Sequence, residues 1–318
     1  MPIPGVGPDE PVEKCRLLFS TDLMAIYKKY LIPNTIEEAL QAMQDGPVDG
    51  RFIAGGTDLL LDLQQGRHPP VQMLVDITRI PDLCRLEIQE GRLFIGAAVP
   101  LNRIISAQLV FEHAQCLFEA AGLIGGPQVR NTATLGGNVV HGLPAADGAI
   151  ALHALGASAE IASLSGRRQL SVHELYRGPG QTALQPQKEL LIGFSVSLRG
   201  RGEASAFKRV MRPQGVALPI INLAIWVRRK SDVVDDIRIA VGPGGPVPFR
   251  ARAAEQVLAG RPLSGGLMQE ALDAIREEAR FRKSAYRSGI DYRRHLTRVL
   301  FEDTFLCAWE RALQDIPE

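Results

Sequence analysis

The chain has 318 residues, 46% hydrophobic and 22% charged, with a net charge of +1. That length allows two ordinary domains with sizeable cores, and the balanced charge excludes a global electrostatic case for nucleic acid or a strongly acidic partner. The four cysteines, Cys15, Cys84, Cys116 and Cys307, are too scattered for a disulfide framework or a CxxC-type metal or iron–sulfur motif. Free thiols in a reducing compartment are therefore expected; no apolar run reaches the length of a membrane span, and a cytoplasmic protein is the default expectation.

Residues 1–23 are proline-rich and patternless, with Asp9, Glu10 and Glu13 where a signal peptide would be apolar. A disordered leader is expected, with Met24 as an alternative start. Thr35 and Glu38 form a capping box for a helix carrying Ile36, Ala39, Leu40 and Met43 on one face and closed by Gly46. A strand at 51–54, a glycine turn, a short helix through Leu63 and a strand at 71–77 follow, an order that predicts parallel strands. Gln89-Glu90-Gly91 joins a hairpin. Helices are expected near 101–106, over 111–123 and over 148–155, then three strands, "AEIAS", "RRQLSV" and "ELLIGFSVSL", with "VHELY" as a short helix between the last two. "RGRGE" at 199–203 reads as a domain boundary. Beyond it come three strands, "SAFKRVM", "PIINLAIWVRR" and "VVDDIRIAVG", and then helices at 253–258, 267–281 and 290–311. The predicted class is α+β, with the C-terminal domain built on a three-stranded sheet.

Two stretches carry chemistry. In "AGGTDLL", a strand ends at Ala54 and Gly55-Gly56-Thr57-Asp58-Leu59 leads into a helix. Glycine lets backbone N–H groups approach a phosphate, and a helix start aims free N–H groups at an anion. Asp58 reads as a helix cap or a ribose contact, and a plain turn is the competing reading. In "TLGGN", Thr134, Leu135, Gly136, Gly137 and Asn138 repeat the pattern, and Asp147 follows as a helix cap, a ligand acceptor, or both. Two donor-rich loops and one carboxylate suit a dinucleotide held from two sides. A branched side chain at Gly56 or Gly137 is expected to stand in the diphosphate path, and Asp147→Ala to weaken binding more mildly. Neither the G-x-G-x-x-G nor the G-x-x-x-x-G-K-[ST] spacing is present.

"AGGTDLL", "IGGPQVRNTATLGGNVVHGLPAADGAIAL" and "YRRHL", with "RARAAEQVLAG" and the Tyr286–Leu296 run, resemble the FAD-binding subunit of molybdenum hydroxylases, the group of xanthine dehydrogenase and carbon monoxide dehydrogenase. The likeness runs from about Ile26 to Arg311. It implies a two-subdomain FAD domain of the vanillyl-alcohol-oxidase-like type over 24–199, with a break near 78–82, and a C-terminal domain over 203–318. It implies FAD held by Ala54, Gly55, Gly56, Thr57, Asp58 and Leu59 from one side and by Thr134, Leu135, Gly136, Gly137 and Asn138 from the other. Asp147 matches an acidic cofactor contact, Leu191 a position packing near the flavin, and Lys208 a polar contact near the ring. No catalytic residue and no metal ligand is expected on this chain. The molybdenum cofactor is expected on a large partner subunit and two [2Fe–2S] clusters on a small one, in a dimer of heterotrimers. The chain departs from parts of the family at His141 and Ile124, and its scattered cysteines argue against an additional iron–sulfur cluster.

Two other functions remain open at this point: a self-standing FAD-dependent oxidoreductase, and a non-catalytic nucleotide-binding module. The basic run of Arg280, Arg282, Lys283, Arg287, Arg293, Arg294 and Arg298 reads as a solvated helix face, with partner docking as the alternative.

Overall fold

The computed structural model describes residues 26–211, 218–281 and 288–314. The leader, Cys15, Arg282, Lys283 and Arg287 lie outside the described residues.

The first layer is a three-stranded parallel sheet of β1 (Tyr27–Leu31), β2 (Arg51–Ile53) and β3 (Val71–Asp76), with β3 in the middle. Helix α1 (Ile36–Asp45) buries Ile36, Ala39, Leu40 and Met43 against Met73 and Val75 of β3. The helix is capped as expected at Thr35, whose Oγ1 accepts from the Glu38 N–H at 3.0 Å. The Glu38 carboxylate, however, reaches the Asn34 N–H at 2.8 Å rather than that of Thr35. Helix α2 (Leu59–Gln64) connects β2 to β3.

The chain leaves this layer through a 3₁₀ turn at Pro81–Cys84 and enters a five-stranded antiparallel sheet. Its order is β4 (Leu86–Gln89), β5 (Arg92–Gly96), β10 (Leu190–Ser197), β6 (Ser158–Ser163), β7 (Gly166–Ser171). The β4–β5 turn places Glu90 at φ 52° and Gly91 at φ 70°, the double left-handed conformation of a tight hairpin. Between β5 and β6 come six helices: α3 (Leu101–Ile104), α4 (Gln108–His113), α5 (Gln115–Leu123), α6 (Pro127–Thr132), α7 (Leu135–Val140) and α8 (Asp147–Leu155). The single helix expected over 111–123 is broken at Ala114, where ψ is 49°. Every residue of α8 is buried, because the helix lies between two sheets and is apolar all round. A 3₁₀ turn at Val172–Leu175 and a small ribbon, β8 (Tyr176–Gly178) with β9 (Gln181–Thr182), precede β10.

The C-terminal sheet runs β11 (Glu203–Met211), β12 (Pro219–Lys230), β13 (Val233–Gly242), β14 (Phe249–Arg250), with β15 (Arg261–Pro262) also on β13. The three long strands are those expected, and two short ones complete the sheet. Its two faces serve two cores. Phe207, Ala224, Trp226 and Ala240 pack with α5 and α8, whereas Ala206, Leu223, Ile225, Ile239 and Val241 pack with α9 (Arg252–Leu258), α10 (Gly265–Glu278) and α11 (Ile290–Arg311). This is why "PIINLAIWV" is a continuous buried run rather than an alternating one. Among the described residues no helix is long and apolar enough to cross a membrane.

Candidate functional site

The first glycine loop leaves β2 at Ala54 and enters α2 at Leu59. Gly56 sits at φ 67°, a conformation open to glycine and strained for a branched residue. The backbone N–H groups of Gly55, Gly56, Thr57, Asp58 and Leu59 donate to no acceptor among the described residues; the first helical bond runs from Leu60 N–H to Gly56 O at 2.9 Å. Asp58 is exposed and its side chain does not cap the helix. Five successive amides are therefore left among the described residues as donors of the kind that receive anions.

The second loop lies against the first. A Cβ on Gly55 would come within 2.0 Å of the Thr132 carbonyl oxygen, so the two segments meet backbone to backbone just before Thr134. The segment expected as a second glycine loop is the first turn of α7, with Thr134 as its N-cap. Its amides are already engaged. Leu135 donates to Val99 O at 3.2 Å, Gly136 to Ala97 O at 3.0 Å, and Gly137 to Thr134 Oγ1 at 3.1 Å. Glycine at 136 is required by that approach to Ala97, where a Cβ would lie 2.5 Å from the carbonyl oxygen. The second loop thus offers side-chain donors rather than backbone ones. The Thr134 hydroxyl accepts from Gly137 and keeps its proton for another partner. Asn138 Oδ1 accepts from the Gly148 N–H at 3.1 Å, which leaves its Nδ2 as a donor with no partner among the described residues.

Asp147 is the first residue of α8, not its cap, and is nearly fully buried. Arg209 donates to its Oδ2, and Asn222 Nδ2 lies 2.5 Å from Oδ1. Burial raises the Asp147 carboxyl above its ordinary range, working against Arg209 and Asn222, which pull it down. Both carboxylate oxygens are held by the C-terminal sheet. Arg209 also donates to the Leu123 carbonyl, and Arg130 Nη1 donates to Gly125 O at 2.7 Å and more weakly to Ile124 O at 3.3 Å. Two guanidinium groups thereby fix the turn after α5, where Ile124 is half-buried.

Leu191 is buried on β10 in the same core as Leu135. Lys208 lies on the opposite face of β11 from Arg209, its Nζ 3.7 Å from Asp303 of α11 and its side chain 41% exposed. The structure therefore brings together the two loops, Asn138 and Asp147, and turns the Lys208 side chain away from them. Arg209, Asn222 and Arg130 were not singled out from sequence. Strand alternation held the one available signal, since it sends Arg209 to the face opposite Lys208. The basic C-terminal run is not uniformly solvated: Arg293 is buried and bonds to Ser288 at 2.9 Å, whereas Arg298 pairs with Glu302 on the surface.

Residues 24–196 match the family model described as the FAD binding domain in molybdopterin dehydrogenase, and residues 205–308 match that of the CO dehydrogenase flavoprotein C-terminal domain. The chain is 29% identical to a xanthine dehydrogenase FAD-binding subunit of Escherichia coli O157:H7, over 84% of this chain and 90% of that one. It is 28% identical to the carbon monoxide dehydrogenase medium chain of Hydrogenophaga pseudoflava, over 89% and 97%. Among solved structures, one of carbon monoxide dehydrogenase from the same organism, lacking the Mo-pyranopterin moiety of the molybdenum cofactor, superposes with a TM-score of 0.85 at 28% identity, covering 90% of this chain and 98% of that one.

Proposed function

The chain belongs to the family built on the FAD binding domain of molybdopterin dehydrogenases, and on that premise we propose that it is the FAD-carrying electron-transfer subunit of a multi-subunit molybdenum hydroxylase. In this reading a large partner subunit holds the molybdenum cofactor and the substrate. A small partner subunit relays electrons through [2Fe–2S] clusters, and this chain passes them to an external acceptor. The working particle is a dimer of such heterotrimers in the cytoplasm. Residues 24–199 form the FAD domain and residues 203–318 the C-terminal domain.

The row of unpaired amides from Gly55 to Leu59 supports the reading most directly. A diphosphate presents several oxygens and needs many donors, and a helix start adds its positive dipole end. From the facing loop the Thr134 hydroxyl and Asn138 Nδ2 add two donors. Ala54 and Leu59 bound the first loop, and Leu135, Gly136 and Gly137 shape the second. Leu191 shares the apolar core of Leu135, and Lys208, on the far face of β11 beside Asp303, stands outside the cradle in this reading. FAD, when bound, supplies a centre that takes up electrons singly and gives up a pair; this chain binds and orients it. No side chain here has to act as nucleophile or general base.

The test is a visible spectrum of the complex drawn from its native host through a tag on this chain, before and after a reductant. Flavin and iron–sulfur bands that both bleach are the expected result. Flavin bands alone, with no partner polypeptides retained, favour a self-standing flavoprotein. A folded protein without visible bands contradicts the FAD cradle.

A further inference from the structure

We infer that Arg209 and Asn222 are positioning residues for FAD, acting from the C-terminal sheet through Asp147 and Asn138; the inference rests on the cradle proposed above. Arg209 and Asn222 face each other across β11 and β12. Between them they take both oxygens of Asp147, Arg209 on Oδ2 and Asn222 on Oδ1. Asn222 Nδ2 also lies 3.1 Å from the Ala145 carbonyl, and Arg209 holds the Leu123 carbonyl with its other terminal nitrogen. One cross-strand pair thus fixes the approach to α8 and the end of α5 together. The side chains of Arg209 and Asp147 are each only 4% exposed, so water does not compete for these bonds.

The second half of the relay starts one residue later. The Gly148 N–H donates to Asn138 Oδ1 at 3.1 Å. An asparagine whose oxygen is engaged in this way must present its NH₂ elsewhere. Contact between the two is tight: a Cβ on Gly148 would lie 2.7 Å from Asn138 Oδ1. The direction of the only carboxamide donor in the second loop is therefore set by where α8 begins. That start is set in turn by Arg209 and Asn222, neither of which was expected to be near the cofactor.

FAD is stripped from the full chain and titrated back into wild type, Arg209→Met, Asn138→Ala and the double variant, with flavin fluorescence as readout and a thermal melt to verify the fold. Each single variant is expected to bind FAD about tenfold more weakly, the scale of one lost charge-assisted hydrogen bond. The double variant is expected to be little weaker than either single one, because both changes remove the same donor. Gly148→Ala displaces the carboxamide while leaving Arg209 in place; it is expected to match Asn138→Ala and replaces Arg209→Met should that variant not fold. Losses that multiply in the double variant, or wild-type affinity in both Arg209→Met and Gly148→Ala, overturn the inference and leave the cradle standing. A folded wild type that takes up no FAD sinks the cradle itself and the inference with it.

Discussion

At Gly55 an added Cβ would lie 2.0 Å from a backbone oxygen, which no side-chain rotation relieves. Gly56 is constrained differently: its φ of 67° is left-handed, and a Cβ there would meet Leu60 and Ile53 rather than open space. Gly137 is different again, with only Thr134 Oγ1 near its added Cβ, at 3.2 Å. The expectation that a branched residue at Gly56 would block the diphosphate path is thus replaced by backbone strain. Two variants separate these constraints. Gly55→Ala should lower stability by about 3 kcal/mol, the upper part of the overpacking range. Gly137→Val should keep the fold, within about 1 kcal/mol of wild type, yet lose FAD, because the added Cβ, 3.2 Å from Thr134 Oγ1, crowds the hydroxyl that the second loop offers as a donor. Thermal melts of the flavin-free proteins, paired with flavin content after purification, check both. A Gly137→Val protein retaining full flavin would place the diphosphate elsewhere.

Elements with a periodic or capped sequence were readable, and those stabilised by partners distant in sequence were not. Helix α1 shows its cap at Thr35 and its apolar face directly, and the β4–β5 hairpin shows its turn in Glu90-Gly91. Strand β1, "YKKYL", has no apolar alternation and four of its five residues are exposed; only pairing with β3 makes it a strand. The glycine pair of the second loop obscured α7, because Gly136 and Gly137 are poor helix formers held in place by Thr134 and by bonds to Ala97 and Val99. For the same reason the loops were legible as a site and the Arg209–Asn222 clamp was not, since it exists only through the β11–β12 register. The α1 cap offers a clean test at this scale. Thr35→Ala removes the acceptor for Glu38 N–H and should cost about 1 kcal/mol, read as a lower urea midpoint with unchanged slope. No change would mean that the Glu38 contact to Asn34 suffices alone.

Across the whole molecule, α8, like α5, is shared by both halves: its first residue is held by the C-terminal sheet, and His153 near its end is buried. His153 Nδ1 lies 2.7 Å from Ala149 O, and Nε2 has no partner among the described residues. His173 packs edge-on at 6.0 Å between ring centres, and Tyr176 lies at 5.5 Å. Burial pushes His153 down to about 4, helped by His173 and Arg250 and opposed by the Ala149 bond. Burial lowers His173 too, with Arg252 and Arg250 adding to it and Glu174 opposing. The folded protein therefore binds fewer protons than the unfolded chain between the ordinary histidine value of 6.5 and about 4. Stability from this group is complete above 6.5 and falls as pH drops through that window, at about 1.4 kcal/mol per pH unit. From pH 6.5 to pH 5, His153 alone should remove about 2 kcal/mol of stability. Urea unfolding at pH 7.5, 6 and 5 measures the decline, and His153→Phe, which keeps a ring and loses the titration, should flatten it by that amount. Equal slopes in wild type and variant would mean that His153 takes up its proton without disturbing α8.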